Sequence, residues 1–317
     1  MKRVAVIGTG QFGQNHARVY AETATVELIA VCDINPQVGQ TVAAKYEVPL
    51  LTDFRVLIGK VDAVSLATPT ISHHEIACEL LNAGIAVLVE KPIAVTLAEA
   101  DKMIETARRN NAVLQIGHLE RFNPAVIAAT RIATFPRFFE GHRLSVFTPR
   151  SLDIDVVMDL MIHDLDVVLS LVKSDVAEIR ASGVPILTPK IDIANARIEF
   201  ANGSIANLTA SRVSAERIRK LRFFQPQQYI SIDYAAQEAS LVGVTYSAEG
   251  RPEFENRMLA VECGESLKLE IQSFLAALDG APVETTGADG RRALALASGI
   301  VEKIKEHAER AGVPFVG

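Results

Sequence analysis

Short, unbroken apolar runs pace the first third of the chain: Val4 to Gly8, Val26 to Cys32, Ala63 to Leu66, Ala86 to Val89 and Val113 to Ile116. Between them the apolar positions switch to helical spacing over Gln14 to Glu22, Pro36 to Tyr46, His73 to Asn82 and Leu97 to Asn110. Gly84 closes the third of these helices, and Thr96 with Glu99 forms a capping-box pattern at the start of the last. Strands buried on both faces read as continuous apolar segments, so the alternation predicts a doubly wound parallel sheet.

Past Gly117 the rhythm changes. Helices are expected over Pro124 to Thr134 and Asp155 to Val172, with a strand near Phe138 to Phe147. Asn195 to Phe200 alternates with period two, and Asn202-Gly203 signals a tight hairpin into Ile205 to Ala210. Further strands are expected over Leu221 to Phe224, Tyr229 to Tyr234 and Leu241 to Tyr246, followed by helices over Ser266 to Leu278 and Asp289 to Arg310. The fold class is therefore α/β, with domains at 1–120 and 121–317, the second an α+β unit built on a large, mainly antiparallel open sheet.

Length agrees, because 317 residues exceed one ordinary core. No apolar run approaches the roughly 18 residues that span a bilayer, and the chain enters its first strand without an apolar leader, so a cytoplasmic location is expected. A net charge of -6 argues against general nucleic-acid affinity. Cys32, Cys78 and Cys263 have no metal or redox spacing.

Gly8-Thr9-Gly10-Gln11-Phe12-Gly13 follows a predicted strand and opens a predicted helix. In that context the first glycine permits the turn, the second lets backbone approach a pyrophosphate, and the third packs helix against strand. Asp33 ends the second strand, where a carboxylate can accept the ribose hydroxyls, and no arginine follows to receive a 2'-phosphate. This is a Rossmann pattern favouring NAD over NADP. Thr68, Pro69 and Glu90 end later strands at the ligand edge of the sheet, and His73 either touches the cofactor or is a surface residue of a helix's first turn.

Lys91 follows Glu90 and precedes Pro92 at the same edge. In the helix from Asp155 to Val172, Asp155, Asp159, His163, Asp166 and Ser170 fall on one narrow stripe of an otherwise apolar sequence. Oxidising an alcohol requires a base for the hydroxyl proton, and His163 qualifies, with Asp159 to orient its ring and Lys91 to stabilise the alkoxide or relay the proton. A wet helix face is the plain alternative. Asp159, His163 and Asp166 also have metal-ligand chemistry, but no His-x-x-x-His or cysteine set accompanies them, so no metal is expected.

From VAVIGTGQFG through LVEKPIA and DLMIHDLD to ESLKLEIQSFLAALDG, the chain resembles the Gfo/Idh/MocA oxidoreductases. The resemblance implies catalytic roles for Lys91, Asp159 and His163, and a second-domain sheet that forms homodimers or homotetramers. Where many members carry a glycine pair before that aspartate, this chain has Leu152-Asp153-Ile154-Asp155. GHLERFNPAV, TPRSLDID and RFFQPQQYISIDY are similar to the branch that oxidises UDP-N-acetylglucosamine at C3, ahead of amination to a 3-amino sugar for lipid A or another surface glycan. Arg121, Asn123 and Arg150 are the expected substrate contacts beside Lys91, Asp159 and His163, since arginine forks suit a diphosphate. Arg212, Arg217, Arg219, Lys220 and Arg222 form a further basic cluster, read either as phosphate contacts or as ion-pairing residues. Dehydrogenation of a free sugar or inositol, and NAD binding without turnover, are the alternatives.

Overall fold

The computed structural model describes residues 1–148 and 154–312. Its first sheet has six parallel strands, β1 (Lys2–Ile7), β2 (Val26–Cys32), β3 (Leu50–Leu51), β4 (Ala63–Leu66), β5 (Ala86–Glu90) and β6 (Leu114–Gly117), in the order β3-β2-β1-β4-β5-β6. The order reverses at β1, which pairs with both β2 and β4 and so creates the switch point where such sheets bind ligands. Helices α1 (Gln11–Ala21), α2 (Pro36–Tyr46), α3 (His73–Asn82) and α4 (Leu97–Arg109) connect the strands. Helix α1 starts three residues before the expected Gln14, because the glycine turn feeds it directly. The Thr96–Glu99 capping box closes in both directions.

The second sheet is built from β7 (Phe138–Leu144), β8 (Val176–Val184), β9 (Ile193–Phe200), β10 (Ile205–Ser211), β11 (Ile218–Gln225), β12 (Gln228–Asp233), β13 (Glu238–Tyr246) and β14 (Pro252–Met258). Their order is β14-β13-β12-β11-β7-β10-β9-β8, antiparallel except for β7 with β10. Helix α5 (Pro124–Ile132) precedes this sheet, α6 (Ile162–Val172) lies between β7 and β8 in sequence, and α7 (Ser266–Ala277) and α8 (Gly287–Ala311) end the chain. Sequence patterning misses β3, β8 and β14. The two long ones are the sheet's edges, where paired strands carry polar residues on exposed positions.

One compact unit comprises Met1–Leu119 and Glu265–Leu294, the other Glu120–Gly264 and the chain from Ala295. The chain first passes from one unit to the other between Leu119 and Glu120. The expected unbroken second domain, residues 121–317, is corrected by α7, whose Ile271, Phe274 and Leu275 share a core with Val4, Val6, Val19 and Tyr20. Burying such side chains stabilises by roughly 1.5 to 3 kcal/mol each, enough to recruit a helix across a long sequence separation.

Candidate active site

Gly8 follows β1 with a φ of +85° and donates its N–H to the Cys32 carbonyl at 2.8 Å. A Cβ on Gly13 would meet the Gly8 carbonyl oxygen at 1.8 Å, whereas one on Gly10 would meet nothing within 4 Å. Helix and strand therefore touch at Gly13 while the backbone at Gly10 is open to an approaching group. Gly10 caps α1 without a side chain, with Gln11 and the exposed Phe12 in its first turn. This cradle fits the diphosphate of a dinucleotide.

Asp33 faces the same turn. One carboxylate oxygen accepts from both the N–H and the hydroxyl of Thr9 at 2.7 Å, and the other accepts from the Asn35 N–H at 2.8 Å. Burial alone would raise its pKa, but these three donors outweigh it and hold the group below its ordinary value. Asp33 thus pins the glycine turn and stays ionised, with lone pairs left for a ribose diol.

Thr68 and Pro69 follow β4, and the Ser72 hydroxyl donates to Thr68 Oγ1 at 2.8 Å. His73 is buried, which corrects the surface reading. Its Nδ1 lies 3.0 Å from the Pro92 carbonyl and its Nε2 2.9 Å from the Thr68 carbonyl. The ring ties the Thr68 loop to the segment after Lys91, and burial lowers its pKa despite both carbonyls. Glu90, another expected cofactor contact, accepts from His16 Nε2 at 3.0 Å, and Lys91 stands partly exposed after it.

In the second unit, the expected α-helix from Asp155 to Val172 is corrected at its start: Val157–Met161 is a π-helical turn, and α6 continues from Ile162. Wider turns of this kind are frequent at functional sites. Asp159 lies within the π turn and His163 one residue into α6, both partly exposed. The rest of the stripe serves structure. Asp155 accepts from the Ile191 N–H at 3.0 Å, Ser170 donates to its own helix at Val167, and buried Asp166 pairs with Arg121 at 2.9 Å.

That ion pair revises the reading of Arg121, whose guanidinium is partly committed to Asp166. Asn123 has a structural part: it is buried, its oxygen caps α5 by accepting from the Ala125 N–H, and its amide nitrogen donates to Glu120 and to the Tyr234 carbonyl. Arg150 lies outside the described residues. Within the later basic cluster, Arg212 pairs with Asp192, Lys220 with Asp233 and Arg222 with Glu140, which favours the ion-pairing reading.

Sequence reasoning misses two buried networks. Arg143 makes a two-pronged bond to Asp164, each at 2.9 Å, a third to Glu120, and lies over the Tyr234 ring. Removing one partner of such a buried pair leaves an uncompensated charge, so Asp164→Ala is expected to destabilise the protein by about 3 to 5 kcal/mol, read by urea denaturation. In the first unit, His16, Tyr20, Ser65, Glu90 and Glu270 meet below the end of β5. A signal for it exists: His16 and Tyr20 are one helical turn apart, and Glu270 interrupts the apolar face of α7.

A doubly wound sheet with an open glycine cradle at its switch point, an ionised aspartate beside it and a second unit bearing a large sheet define an NAD-binding oxidoreductase. Residues 2–118 match the model of the oxidoreductase family with an NAD-binding Rossmann fold, and residues 131–228 match the GFO/IDH/MocA C-terminal domain. The chain belongs to the GFO/IDH/MocA family. It is 40% identical to a UDP-N-acetylglucosamine 3-dehydrogenase of Acidithiobacillus ferrooxidans, over 93% of this chain and 95% of that one. A solved structure of that enzyme superposes with a TM-score of 0.90 at 37% identity, covering 96% of this chain and 98% of that one. An inositol 2-dehydrogenase of Rhizobium meliloti is 25% identical over 96% of this chain and 97% of its own. A levoglucosan dehydrogenase solved with NADH and levoglucosan has the same fold, with a TM-score of 0.86 at 21% identity, over 96% of this chain and 97% of that one. No helix among the described residues is long and apolar enough to cross a membrane.

Proposed function

We propose that the protein oxidises the C3 hydroxyl of UDP-N-acetylglucosamine with NAD, and that Lys91, Asp159 and His163 are its catalytic residues. The observation that carries this reading is the 40% identity to a UDP-N-acetylglucosamine 3-dehydrogenase over nearly the full length of both chains. NAD, when bound, supplies the hydride acceptor. The glycine cradle binds its diphosphate, and the ionised Asp33 favours a ribose diol over a 2'-phosphate. His163 takes the hydroxyl proton, Asp159 orients the imidazole, and the Lys91 ammonium stabilises the alkoxide. Lys91 belongs to the first unit, Asp159 and His163 to the second. Arg121 keeps a place in the reading as a diphosphate contact and Asn123 does not, since both ends of its amide are engaged.

The test is spectrophotometric. Purified protein is expected to reduce NAD with UDP-N-acetylglucosamine and to give far weaker signals with inositol, levoglucosan or N-acetylglucosamine lacking the nucleotide. Turnover of a free polyol with none of the nucleotide sugar would overturn the proposal. The 3-keto product is an acceptor for amination, so a transaminating step is the class of reaction expected to consume it.

A further inference from the structure

Glu270 is anomalous among the buried charges of the first unit. It is fully enclosed, and neither carboxyl oxygen has a hydrogen-bond partner among the described residues. One of its oxygens, one of Glu90 and a ring nitrogen of His16 all lie within 4.8 Å of one another. An ionised carboxyl in that position would suffer desolvation and repulsion from Glu90 together.

A chain of hydrogen bonds leads to Glu90. The Tyr20 hydroxyl lies 2.8 Å from Ser65 Oγ, Ser65 Oγ lies 3.0 Å from His16 Nδ1, and His16 Nε2 lies 3.0 Å from Glu90 Oε1. If Tyr20 donates to Ser65 and Ser65 to Nδ1, the Nε2–H of His16 is the donor to Glu90. The chain of bonds then ends on Glu90 as the anion, one residue before Lys91.

We propose that Glu90 and Glu270 share a single proton, Glu270 donating it to Glu90 directly or through one buried water, and that this pair, gripped by His16, positions Lys91. The two carboxyl groups are driven apart in acidity, as in other paired carboxyls that hold one proton. Burial and then the charge of Glu90 push Glu270 well above the carboxylate range. Burial acts in the same sense on Glu90, but the His16 hydrogen bond and the positive charge of Lys91 outweigh it and hold Glu90 low. The titratable groups facing the pair are thus His16 and Tyr20 of α1, Lys91 after β5, and His73 of α3. A divalent cation is the competing occupant, but it would have to break the 3.0 Å bond between His16 and Glu90 and find further oxygen ligands in an enclosed space.

Two measurements test the proposal. An unfolded glutamate titrates near its ordinary value of about 4.3, whereas folded Glu270 holds its proton to higher pH, so the wild type loses stability as pH rises between the two. Glu270→Gln removes that loss, and its melting temperature is expected to gain on the wild type steadily as pH rises above about 5. A difference that does not change with pH overturns the shared proton, as does a stoichiometric divalent metal in the purified protein that Glu270→Gln abolishes.

The role toward Lys91 rests on the function proposed above and is read by turnover. Glu270→Leu is expected to lower kcat about 10- to 100-fold with NAD binding intact, since misplacing a reacting group by about 1 Å can cost that much. Glu270→Gln, which returns an N–H donor to Glu90, is expected to recover most of it. Equal turnover in the two variants overturns the positioning role. If the wild type oxidises no nucleotide sugar, the proposed function fails, while the melting curves still decide whether the proton is shared.

Discussion

His163→Ala is expected to lower kcat by about 100- to 10,000-fold while leaving NAD affinity close to that of the wild type, since a positioned base contributes about that much. The split follows from where the groups lie. The glycine cradle and Asp33 belong to the first unit, and His163 belongs to α6 of the second. Steady-state rates with UDP-N-acetylglucosamine and calorimetric titration with NAD measure the two sides separately. Asp159→Asn should show a smaller loss in the same direction, because an amide can still accept from the ring but stabilises the imidazolium less. Normal turnover in His163→Ala, with NAD bound, would remove the histidine from the reaction.

The second large effect is expected at Gly13. In Gly13→Ala the new Cβ would overlap the Gly8 carbonyl oxygen at 1.8 Å, and neither atom can swing aside because the backbone fixes the position of both. Helix α1 must then move off β1 and carry the Gly10 turn with it. NAD affinity is expected to fall by about 100-fold or more, by the same sensitivity to small displacements that governs reacting groups. Stability should fall by about 1 to 3 kcal/mol, as for other overpacked cores. Gly10→Ala is the control: nothing lies within 4 Å of its Cβ, so its melting temperature should hold while NAD binding weakens. Calorimetry and thermal melts of the two variants decide this, and a Gly13→Ala protein that binds NAD normally would show that the helix does not need the contact.

The parallel strands, the glycine turn, Asp33, the Thr96 cap and the Asn202-Gly203 hairpin are legible from the chain because each is specified within a few residues. Apolar runs mark strands buried on both faces, and a turn that requires a positive φ or a side-chain oxygen names its own residues. The edge strands β8 and β14 escape such reading, since one side of their backbone and much of their surface meet water. The π turn before α6 escapes it as well: spacing predicts the stripe, while the hydrogen-bond register is set by what packs around it.

Charges divide in the same way. Sequence spacing identifies Asp155, Asp159, His163 and Asp166 as one stripe, but three-dimensional pairing gives Asp166 to Arg121 and Asp155 to the Ile191 backbone. Asn123 becomes a helix cap, His73 a buried tie between two loops, and Glu270 a carboxyl enclosed beside Glu90. The sequence by itself determines the class of fold, the nucleotide turn and the residue types available for chemistry, because these depend on local backbone geometry and periodic burial. Only the tertiary structure decides which buried polar groups share a proton or an ion pair, because that energy depends on distance and exclusion of water, and both are set by segments as far apart along the chain as Glu90 and Glu270.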